Sequence, residues 1–159
     1  MKIKPQIAIL IVLMIFFAGI ALAKSAGVWS TETEKKISKF ESGEKAGEYN
    51  PSDIRGSFLF KDISEIFKIP LEELDYAFGV NESASSSFKC KDIESVYAAS
   101  QYDIGTESVR IFTAFYLGLP YEPKEESYLP ETASQILRQK GNMTQEQLDY
   151  LESHTVKDD

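Results

Sequence analysis

Two stretches of this chain carry one pattern, and that repetition restricts the fold more than any other feature. Ser57-Phe58-Leu59-Phe60-Lys61-Asp62-Ile63-Ser64-Glu65-Ile66-Phe67 aligns with Ser87-Phe88-Lys89-Cys90-Lys91-Asp92-Ile93-Glu94-Ser95-Val96-Tyr97, identical at five of eleven positions. The apolar members, Ile63, Ile66 and Phe67 against Ile93, Val96 and Tyr97, stand at i, i+3, i+4 spacing, which gives a helix one buried stripe. Each copy is therefore expected to open with a short helix. A second helix should follow in each, so that two related helical hairpins share a core.

The first copy continues through Pro70 into LEELDYAFGV. Pro70 pre-sets a helical turn, Glu72 and Glu73 suit the positive end of the helix dipole, and Gly79 closes the helix. Leu71, Leu74, Ala77 and Phe78 form its buried stripe. The second copy, loosened by residues 98–104, leads into the longest helix, Thr106 to Leu117, with Val109, Phe112, Phe115 and Tyr116 inward. Gly118 and Pro120 end it. Two further helices are expected, one from Pro130-Glu131 to Lys140 with Gly141 as its end. The other is opened by a Thr144–Gln147 capping box and runs through Leu148 and Leu151. Ser57 to Phe60 is the one extended candidate, so the fold class is all-α.

Ahead of these helices lies an apolar run, Ile7 to Ala23, with Lys2 and Lys4 before it and Lys24 behind it. As a helix it would span about 25 Å, the short end of a bilayer crossing. The early lysines favour a cytoplasmic N-terminus and place the remaining chain outside. Ala21-Leu22-Ala23 also fits a signal-peptidase site, in which case the domain is secreted. The length of the run and Trp29 at interfacial distance favour a retained anchor. The organisation expected is an anchor or signal at 1–24, a polar stalk at 25–50 that docks in part on the domain, an all-α extracytoplasmic domain at 51–153, and a frayed tail at 154–159. A short helix from Thr31 to Lys39 fits within the stalk.

Acidic residues number 25 against 17 basic ones, a net charge of −8, and two of the basic residues precede the apolar run. A body this acidic repels phosphate backbones and anionic head groups. The first hairpin has the proportions of a helix-turn-helix, but Glu72, Glu73 and Asp75 occupy its second helix and no basic residue does. No nucleic-acid partner is expected. One cysteine, Cys90, and one histidine, His154, supply neither an intramolecular disulfide nor a zinc, haem or iron–sulfur ligand set, so no cofactor is expected from this chain's own ligands. His154, the single histidine, stands at the end of the last helix near the terminus and reads as an exposed helix-end residue favoured by the dipole rather than as the base of a nucleophile. Adjacent carboxylates at Glu72/Glu73 and Glu125/Glu126 point in different directions on a helix. No enzyme activity is expected. Asn81-Glu82-Ser83 and Asn142-Met143-Thr144 fit the N-glycosylation pattern.

Arg55, at the domain's opening, and Arg110, inside the apolar stripe of the longest helix, stand out because basic residues are scarce. Each suits an ion pair or a helix-end contact. Arg110 beside Tyr102, Tyr116 or Tyr121 also suits an anionic group on a partner. The candidate binding residues are Arg55, Arg110 and Tyr121. Eighteen phenylalanines and tyrosines allow a second idea, an aromatic-lined pocket for a small ligand or flat cofactor, against the plainer reading of a packed core.

Ile54-Arg55-Gly56-Ser57, the Ile69-Pro70-Leu71-Glu72 turn and the Gly118-Leu119-Pro120-Tyr121 stop, within GVWSTETEKK, NPSDIRGSFLFKDISEIFKIPLEELDYAFGV, TESVRIFTAFYLGLPYEP and YLPETASQIL, resemble a helical domain of prokaryotic membrane-associated proteins. That domain is associated with polyferredoxin-type, iron–sulfur membrane proteins of the NapH kind. The resemblance covers most of residues 27–151 and implies an extracytoplasmic accessory role beside a membrane redox protein. It supplies no cluster here, because the cysteine ligands of such partners are absent from this sequence. The expectation is a non-catalytic binding or assembly module, with a small-ligand carrier or sensor as the alternative.

Overall fold

The computed structural model describes Met14, Phe17, Ala18, residues 36–81 and residues 83–156. The chain divides into two compact units, Met1–Lys35 and Lys36–Asp159, and the fold below is that of the second. Met14, Phe17 and Ala18 are helical, while the rest of the apolar run, Trp29 and residues 31–35 of the stalk helix lie outside the described residues. Among the described residues no helix is long and apolar enough to cross a membrane.

The second unit is mostly helical. Its helices are α1 (Phe60–Phe67), α2 (Leu71–Ala77), α3 (Ile93–Val96), α4 (Thr106–Leu117), α5 (Glu131–Lys140) and α6 (Gln145–Ser153), with 3₁₀ turns at Pro51–Asp53, Ser85–Ser87 and Cys90–Asp92. Helix α4 is the axis of the core. Every residue from Ser108 to Phe115 is buried except Arg110, so the middle of α4 is enclosed, and α5 packs beside it. The core phenylalanines meet edge to face: Phe60 on Phe78 at 5.8 Å, Phe60 on Phe88 at 5.1 Å and Phe78 on Phe112 at 5.7 Å. Such contacts place the positive ring edge on the negative ring face.

The repeat has a structural counterpart. Asp62 accepts a hydrogen bond from the Leu59 N–H at 2.8 Å, and Asp92 accepts the equivalent bond from the Lys89 N–H at 3.0 Å. Each aspartate thus satisfies a donor at the start of a helical turn. The two copies then pair with each other through an antiparallel bridge between Leu59 and Lys89. Phe60 N–H donates to Phe88 O at 3.0 Å, and Cys90 N–H donates to Phe58 O at 2.9 Å. Bridge and bonds join equivalent positions, so a local pseudo-two-fold axis relates the copies. The extended stretch Ser57 to Phe60 therefore has its partner in the other copy.

Symmetry ends there. The second copy's opening helix shrinks to the Cys90–Asp92 turn plus α3. Ile93 is buried as expected, but Val96 is 47% exposed, so the expected stripe is not completed.

Residues 36–50 fold onto the same unit. Ile37 is 7% exposed, Lys39 bridges Tyr49, and the Tyr49 ring meets Phe67 edge-on at 6.2 Å. Residues 36–39 are not helical, which corrects that end of the expected stalk helix; Ser38 O accepts from Asn50 N–H at 2.9 Å beside the Lys39–Tyr49 bridge, and Ser38 N–H donates to Asp53 Oδ2. The expected frayed tail is corrected at His154 to Val156. There β2 (Thr155–Val156) pairs in parallel with β1 (Leu129–Pro130), and Leu129 N–H donates to His154 O at 2.9 Å. Lys157–Asp159 lie outside the described residues.

Candidate functional site

The chain after α4 builds the site. Gly118 ends the helix with φ +65°, a left-handed turn that sends Leu119-Pro120-Tyr121 back along the helix. A side chain is excluded there: a Cβ on Gly118 would stand 2.4 Å from Asn142 O. The returning segment is held by Gln147 of α6, whose Nε2–H donates to Leu119 O at 3.0 Å from a buried position. Gln147 N–H in turn donates to Thr144 Oγ1, and Thr144 N–H to Gln147 Oε1, the capping box that the sequence predicts.

This return brings Tyr121 onto the first turns of α4. Its hydroxyl donates to Glu107 Oε1 at 2.5 Å, while Arg110 Nη1 donates to Glu107 Oε2 at 2.8 Å. Arg110 Nε donates to Ile54 O at 2.8 Å. The carboxylate of Glu107 is thus shared between a guanidinium and a phenol, and Arg110 fastens α4 to the end of the Pro51–Asp53 turn. Burial, then the hydrogen bond to Glu107 and its negative charge, push the Tyr121 hydroxyl well above the usual phenol value, with Arg110 opposing. Nearby, Asp53 accepts from Ser38 N–H at 2.8 Å and from Ser38 Oγ–H at 2.5 Å. These bonds, side chain first, hold its carboxyl below the usual range; Arg55 and Arg110 add to the effect through their charge.

Of the residues singled out from sequence, Arg110 and Tyr121 come together. They line one open hollow of about 420 Å³ with Phe40, Asn50, Ser52 and Lys124. Arg55 is exposed and does not line it. Tyr102 instead packs on Tyr128 at 4.5 Å, and Tyr116 faces Glu73, where burial and that carboxylate push its hydroxyl up to about 12. Glu107 escaped the sequence reading. The only available signal was its i, i+3 spacing to Arg110, which is common on exposed helix faces.

A second, larger hollow of about 730 Å³ adjoins the first and shares Phe40, Pro120, Tyr121 and Glu122 with it. Its floor includes Phe115 and Leu119, which are 0% and 3% exposed. One wall is Tyr150, with its ring stacked flat on His154 at 3.9 Å and its hydroxyl hydrogen-bonded to Lys124 O (2.9 Å) and Ser127 O (2.6 Å). His154 is half-buried rather than exposed. Its Nε2 lies 3.0 Å from Glu125 O, and its Nδ1 is 2.8 Å from Ser153 Oγ and 3.1 Å from Tyr150 O. Both ring nitrogens are therefore occupied within the structure. Burial, followed by the charge of Glu107, raises the Tyr150 hydroxyl above the usual phenol value.

Chemically, the arrangement offers fixed aromatic and proline faces beside carboxylates. Among the described residues, no group of three or more His, Cys, Asp or Glu side chains is placed to hold a metal ion. Comparison with protein-family models, with curated proteins and with solved structures finds no match to this chain.

Proposed function

We propose that this chain is a non-catalytic binding or assembly module, anchored at a membrane by Ile7–Ala23 with its helical unit outside the cytoplasm. Its partner is a membrane protein, and the resemblance at Ile54–Ser57, Ile69–Glu72 and Gly118–Tyr121 suggests an iron–sulfur redox protein of the NapH-like kind. One observation carries the reading. Two adjoining hollows meet at Tyr121, and their walls are fixed by buried or multiply bonded groups: Phe115, Leu119, the Glu107–Arg110–Tyr121 network and the Tyr150–His154 stack. Preorganised concave surfaces lose little entropy on docking a partner. The groups that acid–base chemistry would draw on, Glu107 and His154, are already bonded within the fold.

Extraction of the native membrane in mild non-ionic detergent tests the module. A stoichiometric membrane-protein partner should co-elute with the chain; a chain that elutes alone, at monomer size, would overturn the reading. A carrier of a small ligand is the second reading, favoured by the size of the larger hollow, which falls in the range of ligand pockets. It requires a small molecule released on denaturation.

A further inference from the structure

The larger hollow carries an uneven charge. Glu44, Glu122, Glu125 and Glu146 line it, against Lys45 as its lysine or arginine. All four carboxylates are exposed, and none forms an ion pair with another described residue. They reach the hollow from three separate segments: the turn after Phe40, the return after α4, and the first turn of α6. The negative charge at the hollow thus comes from three parts of the chain. The rings of Phe40, Tyr121 and Tyr150 line the same hollow. Aromatic faces beside carboxylates favour cations, through ring quadrupole and charge together.

We propose that this hollow receives a basic, extended segment of the protein partner, its lysine or arginine side chains lying against these rings and answered by the four glutamates. The proposal rests on the module reading above and names the chemistry of the partner. A second copy of this chain is disfavoured by like charge, and so is an anionic head group. Four carboxylates answer several positive charges on one segment better than a single charge.

The test uses the full chain in non-ionic detergent, with three probes: a fluorescent peptide of alternating lysine and alanine, its glutamate–alanine counterpart, and spermine. The basic peptide should bind saturably and weaken steeply with added salt, while the acidic peptide should not bind. Combined Glu122→Gln, Glu125→Gln and Glu146→Gln substitutions should weaken the basic peptide about tenfold, the scale of three solvent-exposed ion pairs. Glu65→Gln, on α1, should leave binding unchanged. Unchanged affinity in the triple variant, no binding of the basic peptide, or spermine binding as tightly as the peptide would each overturn the proposal. A partner that co-elutes with the chain from membranes while the basic peptide is ignored would remove the cationic specificity and leave the module; a chain that elutes alone would remove both.

Discussion

The first copy of the repeat closes into a hairpin across Lys68–Pro70, whereas the second takes residues 97–105 to reach its long helix. Both begin with the same aspartate cap and pair through the same bridge. They differ in what covers them. The end of α1 has Tyr49 against Phe67 and α2 following at once, so Ile63 and Phe67 are buried and Ile66 is half-buried. Val96, the counterpart of Ile66 at the end of α3, meets solvent, and the helix stops after four residues. Local sequence sets where a helix starts, and tertiary cover sets how far it continues.

That contrast is sharpened most by the pair Phe60 and Cys90, which occupy equivalent positions. Both are fully buried, but Phe60 also packs on Phe78 and Phe88. Phe60→Ala should cost about 3–5 kcal/mol and Cys90→Ala about 1 kcal/mol, read from chemical denaturation. Equal losses would mean that the two copies share the core evenly.

The closing glycines come next. Gly79 and Gly118 both have positive φ, but a Cβ on Gly79 meets only Tyr97 Oη at 3.6 Å, whereas one on Gly118 strikes the backbone of Asn142. Gly118→Ala should lower stability by about 2–4 kcal/mol and Gly79→Ala by about 1 kcal/mol. The capping aspartates should differ less. Asp62→Ala should cost about 1 kcal/mol and Asp92→Ala about half that, since the second bond is more exposed.

The smallest effects concern pH. Asp53 has a lowered folded pKa, so its contribution is present above the ordinary value of 3.8 and is lost as pH falls through the folded value. Ser38→Ala should flatten that acid-side loss in a thermal melt series. Tyr121 is shifted upward, so its contribution is present below the ordinary value of 10.0 and is lost as pH rises above it. Tyr121→Phe should flatten the alkaline side without changing the acid side.

Much of the helical framework was legible. Thr106–Leu117, Glu131–Lys140 and the Thr144 cap follow from glycine stops, proline starts and a capping box, all local signals. The remainder depends on distant partners. A two-residue parallel pairing such as Leu129–Pro130 with Thr155–Val156 is too short for alternation to register. The packing of Ile37 and Phe40 on the unit was only hinted at by isolated apolar residues in a charged stretch. At the site, Arg110 and Tyr121 were legible as scarce or aromatic residues. Glu107, which joins them, was hidden as an ordinary first-turn acid. Arg55 drew attention for its rarity, which says nothing about where its side chain lies.

Lysine cross-linking in native membranes, read by mass spectrometry, tests the functional account most directly. Lys45 and Lys124 line the two hollows that meet at Tyr121, whereas Lys61 and Lys68, on α1 and at its end, line neither. Cross-links to a membrane-protein partner should concentrate on Lys45 and Lys124. A partner joined chiefly through Lys61 and Lys68, with Lys45 and Lys124 unmodified, would contradict the assignment of this surface.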